Sequence, residues 1–257
     1  RIREFRKHLV IFLLVQTLKL VFGQTFLFFV LYDWNKTAAF ASLLLGCTVV
    51  SLPLMPLFGK AVVKFGVRRL YAFAFAGMLL GVAWLALAWV LTGALPSAVW
   101  MVLAVAASLW FFVFKALVGY LPWTVLVFMP DIDQIVTRRY RSATFSSVQS
   151  SLRQLGSGIV TIGVGLVLTM VGFDSSLPRQ SREASIGIAA VMLGFYTVAM
   201  IVCWIVSSCL AINQRTDFDV LHEVDRLRAG GDKTEVNASV RRTVERLTGL
   251  SYEECWK

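Results

Sequence analysis

Six long apolar segments, a low share of charged residues and a Lys/Arg excess confined to alternate loops predict an all-α membrane protein with six transmembrane helices. The chain is 58% hydrophobic and only 16% charged, with a mean hydropathy of +0.72. That is too apolar for an ordinary soluble domain. Roughly 20 mostly apolar residues cross the hydrocarbon core as a helix. Segments near Val10–Tyr32, Ala38–Leu57, Leu70–Leu91, Ala98–Met129, Phe145–Val171 and Ile186–Ile212 reach that length.

In chain order, Arg1, Arg3, Arg6 and Lys7 precede the first span, and a short turn around Asp33–Lys36 leads into the second. Lys60, Lys64, Arg68 and Arg69 separate the second span from the third, and Thr92–Ser97 joins the third to the fourth. The fourth segment is too long for one straight span. Pro122 inside it predicts a kink, with the last turns projecting beyond the membrane. Arg138, Arg139 and Arg141 precede the fifth span, and a polar loop, Asp174–Ser185 with Pro178, precedes the sixth. The loops on the other side hold only Lys36, Arg179 and Arg182, so the positive-inside rule places both ends of the chain in the cytoplasm. The net charge of +10 is therefore a topology signal. Split among short loops, it forms no continuous patch and argues against nucleic-acid binding.

Residues 1–212 form the predicted bundle and 213–257 a cytoplasmic amphipathic tail. In the tail, Val220, Leu221, Val224 and Leu227, then Val236, Val240, Val244 and Leu247, recur at helical spacing among charges, with Gly230-Gly231 between the two runs. The sequon Asn237-Ala-Ser239 has no meaning on a cytoplasmic tail. Cys47, Cys203, Cys209 and Cys255 fit neither a zinc site nor a disulfide framework and read as small apolar fillers. The chain starts at Arg1 rather than Met, and no small-residue cleavage site follows the first apolar run. The start therefore reads as an internal cut or the continuation of an upstream region, not as a signal peptide.

Polar groups within the spans carry the functional reading. Lys19 lies near the middle of the first span with Gln16 and Gln24 close by, about ten residues from either end, where snorkelling is awkward and an aqueous cavity or partner is the alternative. Lys115 in the fourth span is a similar case. In the fifth span Ser146, Gln149, Ser150, Arg153 and Ser157 follow i, i+3, i+4, i+7, i+11 and share one helix face, with Gln154 at its border. Arg153 offers fixed donors for carboxylate, phosphate or hydroxyl groups, and Gln149 both donates and accepts. The bland account of this stripe is a hydrated helix end, with the neighbouring glycines serving close packing. Trp123 after Pro122 could stack on a sugar or sit in the interfacial belt. Asp131 and Asp133 face Arg138, Arg139 and Arg141 across a short turn, a natural place for ion pairs at the cytoplasmic mouth and for a gate that breaks on opening. An inert solvated loop is the other reading.

Three motifs carry a resemblance. Gly59–Arg69 resembles the loop pattern G-x-x-x-D-R-x-G-R-R, with Val63 at the acidic position. Met129-Pro-Asp-Ile-Asp resembles an acidic signature A-D-x-x-D-Y, one residue short between the aspartates. Ser147-Val-Gln-Ser150 followed by Gly156-Ser157 resembles the start of an eleventh helix. On these residues the chain, over 8–215, resembles the C-terminal half of the glycoside-pentoside-hexuronide:cation symporters, the melibiose-permease branch of the major facilitator superfamily. Lysophospholipid-carrying relatives share the pattern. The resemblance implies a cation-coupled symporter of a sugar or sugar acid working by alternating access, in a bacterial inner or plasma membrane. Its partners would be the lipid bilayer, a small solute and an N-terminal six-helix half that holds the family's cation-binding acids. Na+ or H+ is the candidate coupling ion, and no other cofactor is implied. By the same resemblance Trp123, Gln149 and Ser150 face the sugar. Gln154 stands near the family's usual lysine with Arg153 beside it, which puts the usual cation coupling in doubt and suits an anionic substrate such as a uronide, a sulfosugar or a lysophospholipid head group. A lysolipid carrier of the same fold, or a six-span channel or structural subunit, is the alternative. An enzyme is the least expected reading, since His8 and His222 have no nucleophile or metal-ligand cluster near them.

Overall fold

The computed structural model describes residues 2–174, 176–177 and 179–256; the predicted Arg1 of the basic N-terminal run and Pro178 of the long loop lie outside them. The described residues form helices and turns, with no strand among them. Six helical stretches are long and apolar enough to cross a membrane: Arg3–Asp33, Ala38–Phe65, Val67–Val90, Ser97–Thr137, Ser142–Met170 and Arg182–Ser208.

Helix α1 (Arg3–Phe28) ends in a π-helical turn, Phe29–Asp33. It packs against the helices of the fourth, fifth and sixth spans and buries Ile11, Phe12, Val15, Leu18, Val21, Phe22 and Phe26. The second span is not the single helix that its apolar run predicts. It divides into α2 (Ala38–Gly46), a 3-10 segment (Cys47–Leu54) and α3 (Met55–Phe65). Pro53 has no amide to donate, and Pro56 lies in the first turn of α3, so the α-helical hydrogen-bond ladder cannot run through this region. At Gly66, φ +80 turns the chain directly from α3 into α4 (Val67–Val90), a backbone conformation that a side chain rarely allows.

Helices α4 and α5 (Ser97–Leu126) make the closest pair. A Cβ on Gly77 would lie 2.0 Å from the Phe114 ring, and one on Gly81 would lie 3.2 Å from the Phe111 Cα. The indoles of Trp110 and Trp100 donate to the Gly77 and Ala88 carbonyls at 2.8 Å each. Pro122 lies inside α5, which runs on to Leu126; a turn at Val127–Phe128 follows, and Pro130 lies in the first turn of the short α6 (Met129–Thr137). A proline is well suited to a first helical turn and poorly suited to the residues before it.

Helix α7 (Ser142–Met170) is the fifth span. The sixth is α8 (Arg182–Ala189), a π-helical turn (Ala190–Gly194) and α9 (Phe195–Ser208). Burial divides the spans into two classes. In the second and fifth, 17% and 11% of the most apolar window is buried, against 44–50% in the other four. Spans one, three, four and six make the core, and spans two and five lie along it with most of their surface uncovered.

Beyond the bundle, the Asn213 side chain accepts from Thr216 N at 2.9 Å and caps α10 (Gln214–Arg228); α11 is Ala238–Thr248. Both pack on α6, and α11 also meets α1. The predicted apolar rows are what docks. Val220, Val224, Leu227, Val244 and Leu247 are buried, whereas Leu221 is turned outward. Behind them the Glu223 carboxylate is held by two bonds from Arg226 (2.9 and 2.8 Å) and one from the Tyr252 hydroxyl. The last described residue, Trp256, donates its amide to Ile135 O at 2.8 Å, and its carbonyl accepts from Arg138 at 2.8 and 3.1 Å. The tail thus closes over α6.

Asp217 of α10 is buried with one carboxylate oxygen unpartnered. Burial, and then the charge of Asp131 on α6, push its carboxyl up to about 7. A group held above its ordinary range keeps a proton in the docked state that it loses when undocked, so docking is favoured at acidic pH and weakens as pH rises through about 7. By linkage, docking at pH 8 is about tenfold weaker than at pH 6. Proteolysis of the tail will be faster at pH 8 than at pH 6, and Asp217→Asn will remove the difference.

Candidate functional site

Between α1, α5 and α7 lies a partly open cavity of about 460 Å³. Helix α1 lines it with Gln16, Lys19 and Leu20, α5 with Trp123, and α7 with Arg153, Gln154 and Ser157. Two hydrogen bonds between α1 and α7 bracket it. His8 Nε2 lies 2.9 Å from Gln149 Oε1 toward the basic end, and Gln24 Nε2 donates to Thr161 Oγ1 at 2.7 Å toward the other.

The local packing explains each lining position. Trp123 is 40% exposed, with its edge against Phe12 (ring centroids 5.3 Å, interplanar 88°), so it is braced from below and open toward the cavity. Lys19 crosses to α5 where Gly119 gives it room. A Cβ there would lie 2.7 Å from Lys19 Cε. Arg153 and Gln154 lie on the uncovered surface of α7. Among the described residues, none forms an ion pair with Lys19 or Arg153.

The predicted polar stripe on the fifth span is therefore split by its neighbours. Lys19, Trp123, Arg153 and Gln154 come together around one cavity, with Ser157. Gln149 does not line it: the side chain is fully buried and turned into α1, with its oxygen on His8. Ser150 and Ser146 are exposed and also stay outside the lining. The reason is rotational. Gln149 is the position at which α7 rests on α1, while its stripe neighbours fall to either side of the contact. Phe12 was not singled out from the sequence, and His8 was weighed there only as a catalytic group. They precede Gln16 and Lys19 at i, i+4, i+8 and i+11, one face of α1, and that spacing is the signal that marks them.

The predicted mouth cluster also resolves into parts. Arg141 grips Asp133 with two bonds of 2.8 Å, and Thr137 Oγ1 adds a contact of 3.3 Å. The carboxylate is 5% exposed and the guanidinium 44%. Arg138 instead holds the Trp256 carbonyl. Asp131 and Arg139 form no ion pair among the described residues.

Gln149 Nε2 and His8 Nδ1 are buried without partners, so this pair is joined by one bond and leaves two polar atoms unmet. Gln149→Leu removes the acceptor for His8 and will lower stability by about 1–3 kcal/mol. The double variant His8→Phe, Gln149→Leu will recover most of that loss, because both unmet atoms go with their side chains. Thermal unfolding of the purified protein in detergent measures the two effects.

Residues 1–214 match the family model described as MFS/sugar transport protein. No curated protein matches the chain. The match spans all six membrane-crossing stretches and every residue lining the cavity. The chain belongs to the MFS/sugar transport protein family, and is a multi-pass membrane transporter of the major facilitator kind.

Proposed function

We propose that this chain is the C-terminal half of a twelve-helix secondary transporter that carries a sugar or sugar acid by alternating access. The observation that carries this reading is the uncovered polar surface of α7. Arg153 and Gln154 sit on a membrane-crossing helix with no partner among the described residues, and hydrocarbon cannot solvate them. They need water on one side and protein on the other. A second six-helix half laid against the sparsely covered second and fifth spans supplies both, with the 460 Å³ cavity at the junction. The basic end is then cytoplasmic, in a bacterial inner or plasma membrane, with Na+ or H+ as the coupling ion and no other cofactor. In that arrangement Lys19, Trp123, Arg153 and Gln154 contact the solute, and the Asp133–Arg141 pair is an inner gate.

A second reading has its own support. One turn beyond the cavity, an apolar groove of about 470 Å³ follows α1 and α7 past Val21, Val160, Val164 and Val167 to Phe195. An anionic head group beside Arg153 with a chain in this groove describes a lysolipid carrier.

Uptake into proteoliposomes separates these. For the sugar reading, labelled sugar accumulates under an imposed Na+ or H+ gradient, and Arg153→Ala and Trp123→Ala each raise the apparent KM about tenfold or more. Unchanged KM in both variants sinks the site assignment. Lysolipid uptake without sugar uptake selects the second reading. Ion conductance from a native polypeptide no longer than these 257 residues points to a homo-oligomeric channel. At the gate, Asp133→Arg and Arg141→Asp will each slow transport at least fivefold. The double swap, which restores opposite charges, will recover part of the rate, because breaking a buried pair one partner at a time is worse than exchanging it.

A further inference from the structure

We infer that Lys19, which lines the cavity, and Lys115, one turn along the α1–α5 seam from it, form an anion subsite that takes a carboxylate, sulfate or phosphate group of the transported solute. The inference rests on reading the cavity as the solute path. Lys115 Nζ stands 3.5 Å from the centre of the Phe22 ring and 5.4 Å from that of Phe112. Lys19 reaches across from α1 and lays its ammonium over Gly119, where a Cβ would lie 2.8 Å from Nζ. Gly119 is one turn from Lys115 on α5, and Phe22 is one turn from Lys19 on α1, so the two lysines are adjacent along the α1–α5 seam. Arg153 on α7 lines the same cavity as Lys19. Two lysines on the α1–α5 seam and Arg153 across the cavity thus bring together three cations from three spans, and no described carboxylate pairs with any of them.

Such an arrangement is unfavourable when empty and favourable when an anion enters, because like charges repel strongly away from water and a shared oxyanion satisfies them together. The rings of Phe22 and Phe112 offer Lys115 a resting place until then. Gly119 is part of the same design, since any side chain there would displace Lys19 from its neighbour. Arg153 alone at the mouth would attract an anion; two lysines deeper in would fix where its charged group comes to rest.

Equilibrium dialysis of the full transporter in nanodiscs tests this, with labelled glucuronate, glucose and lysophosphatidylglycerol as probes. The expected result is tighter binding of glucuronate than of glucose. Lys115→Gln and Lys19→Gln should each reduce the glucuronate-to-glucose affinity ratio at least tenfold, and Lys115→Arg should preserve it. Binding of lysophosphatidylglycerol that Lys115→Gln weakens, with neither sugar bound, keeps the subsite and removes the sugar reading. Equal binding of both sugars with an unchanged ratio in the variants overturns the subsite and leaves sugar transport standing. The melting temperature without solute gives an independent arm. Removing one of three repelling cations should raise it. A fall in Lys115→Gln would mean that an acid of the companion half already neutralises the lysines, and would overturn the proposal, as would failure of all three probes to bind.

Discussion

No water is available inside hydrocarbon to satisfy an unmet hydrogen bond or to shield a charge, and the bundle is organised by that constraint. Where the helical ladder fails at Pro53, the chain tightens to a 3-10 segment and Ser51 donates its hydroxyl to Thr48 O at 2.7 Å. The indole N–H groups of Trp100 and Trp110 reach helix carbonyls. The buried hydroxyl of Thr25 and the half-buried one of Thr197 bond back to the preceding turn. Buried polar atoms without partners occur at Asp33, Trp34, Tyr71 and Ser108 as well as in the His8–Gln149 pair. What sets the α1–α5–α7 seam apart is charge: Lys19, Lys115 and Arg153 lie along it with no ion pair among the described residues, and Lys19 and Arg153 line the cavity.

Helix α1 is what the other parts are fixed to. At its basic end Glu4 accepts from Ala211 N at 2.9 Å and Lys7 donates to Cys209 O at 2.6 Å, tying it to the chain just after α9. At its far end Asp33 accepts from Ser185 of α8 at 2.6 Å. Spans one and six are therefore pinned to each other at both ends, around a core of Phe22, Phe26, Phe111 and Phe112. Helix α7 is held differently, by two isolated side-chain bonds with a cavity between them and little buried apolar surface. It is the element that carries Arg153.

Six spans, their order and the basic end were legible because length and hydropathy are properties of the residues themselves. The division of the second span was legible in principle, since Pro53 and Pro56 stood in the sequence, but an apolar run of that length conceals a break that costs no hydropathy. Pro122 does not end α5, which runs on to Leu126; the break in helical assignment comes at Val127–Phe128, just before Pro130 in the first turn of α6. The five-residue stripe on span five was correct as a face and too coarse as a site, because periodicity says which residues share a face and not which of them a neighbour covers. Gln149 is covered by α1; Arg153 is not. His8 seemed peripheral because it lies near a helix end, and only the arrival of α7 buries it. The tail's apolar rows were legible, but its target was not, since nothing local in Val220 or Val244 names α6 as the surface they close on.

That target matters for how the proposed gate can move. Past the turn at Val127–Phe128, α6 is held by what packs on it, chiefly α10, α11 and the Trp256 backbone. The Asp133 carboxylate is nearly sealed from solvent and its guanidinium partner is not. Pulling Arg141 away would leave a buried, uncompensated charge, a change of several kcal/mol. Opening at this point therefore has to expose Asp133 or give it another cation. Arg138 is already committed to the tail through the Trp256 carbonyl, with its backbone at φ 60 where α6 ends. Arg139, exposed and without an ion pair among the described residues, is the cation left to accept Asp133. Such an exchange would rotate the end of α6 against the tail docked on it, so movement at the mouth of the transporter and the seating of its tail are one coupled event.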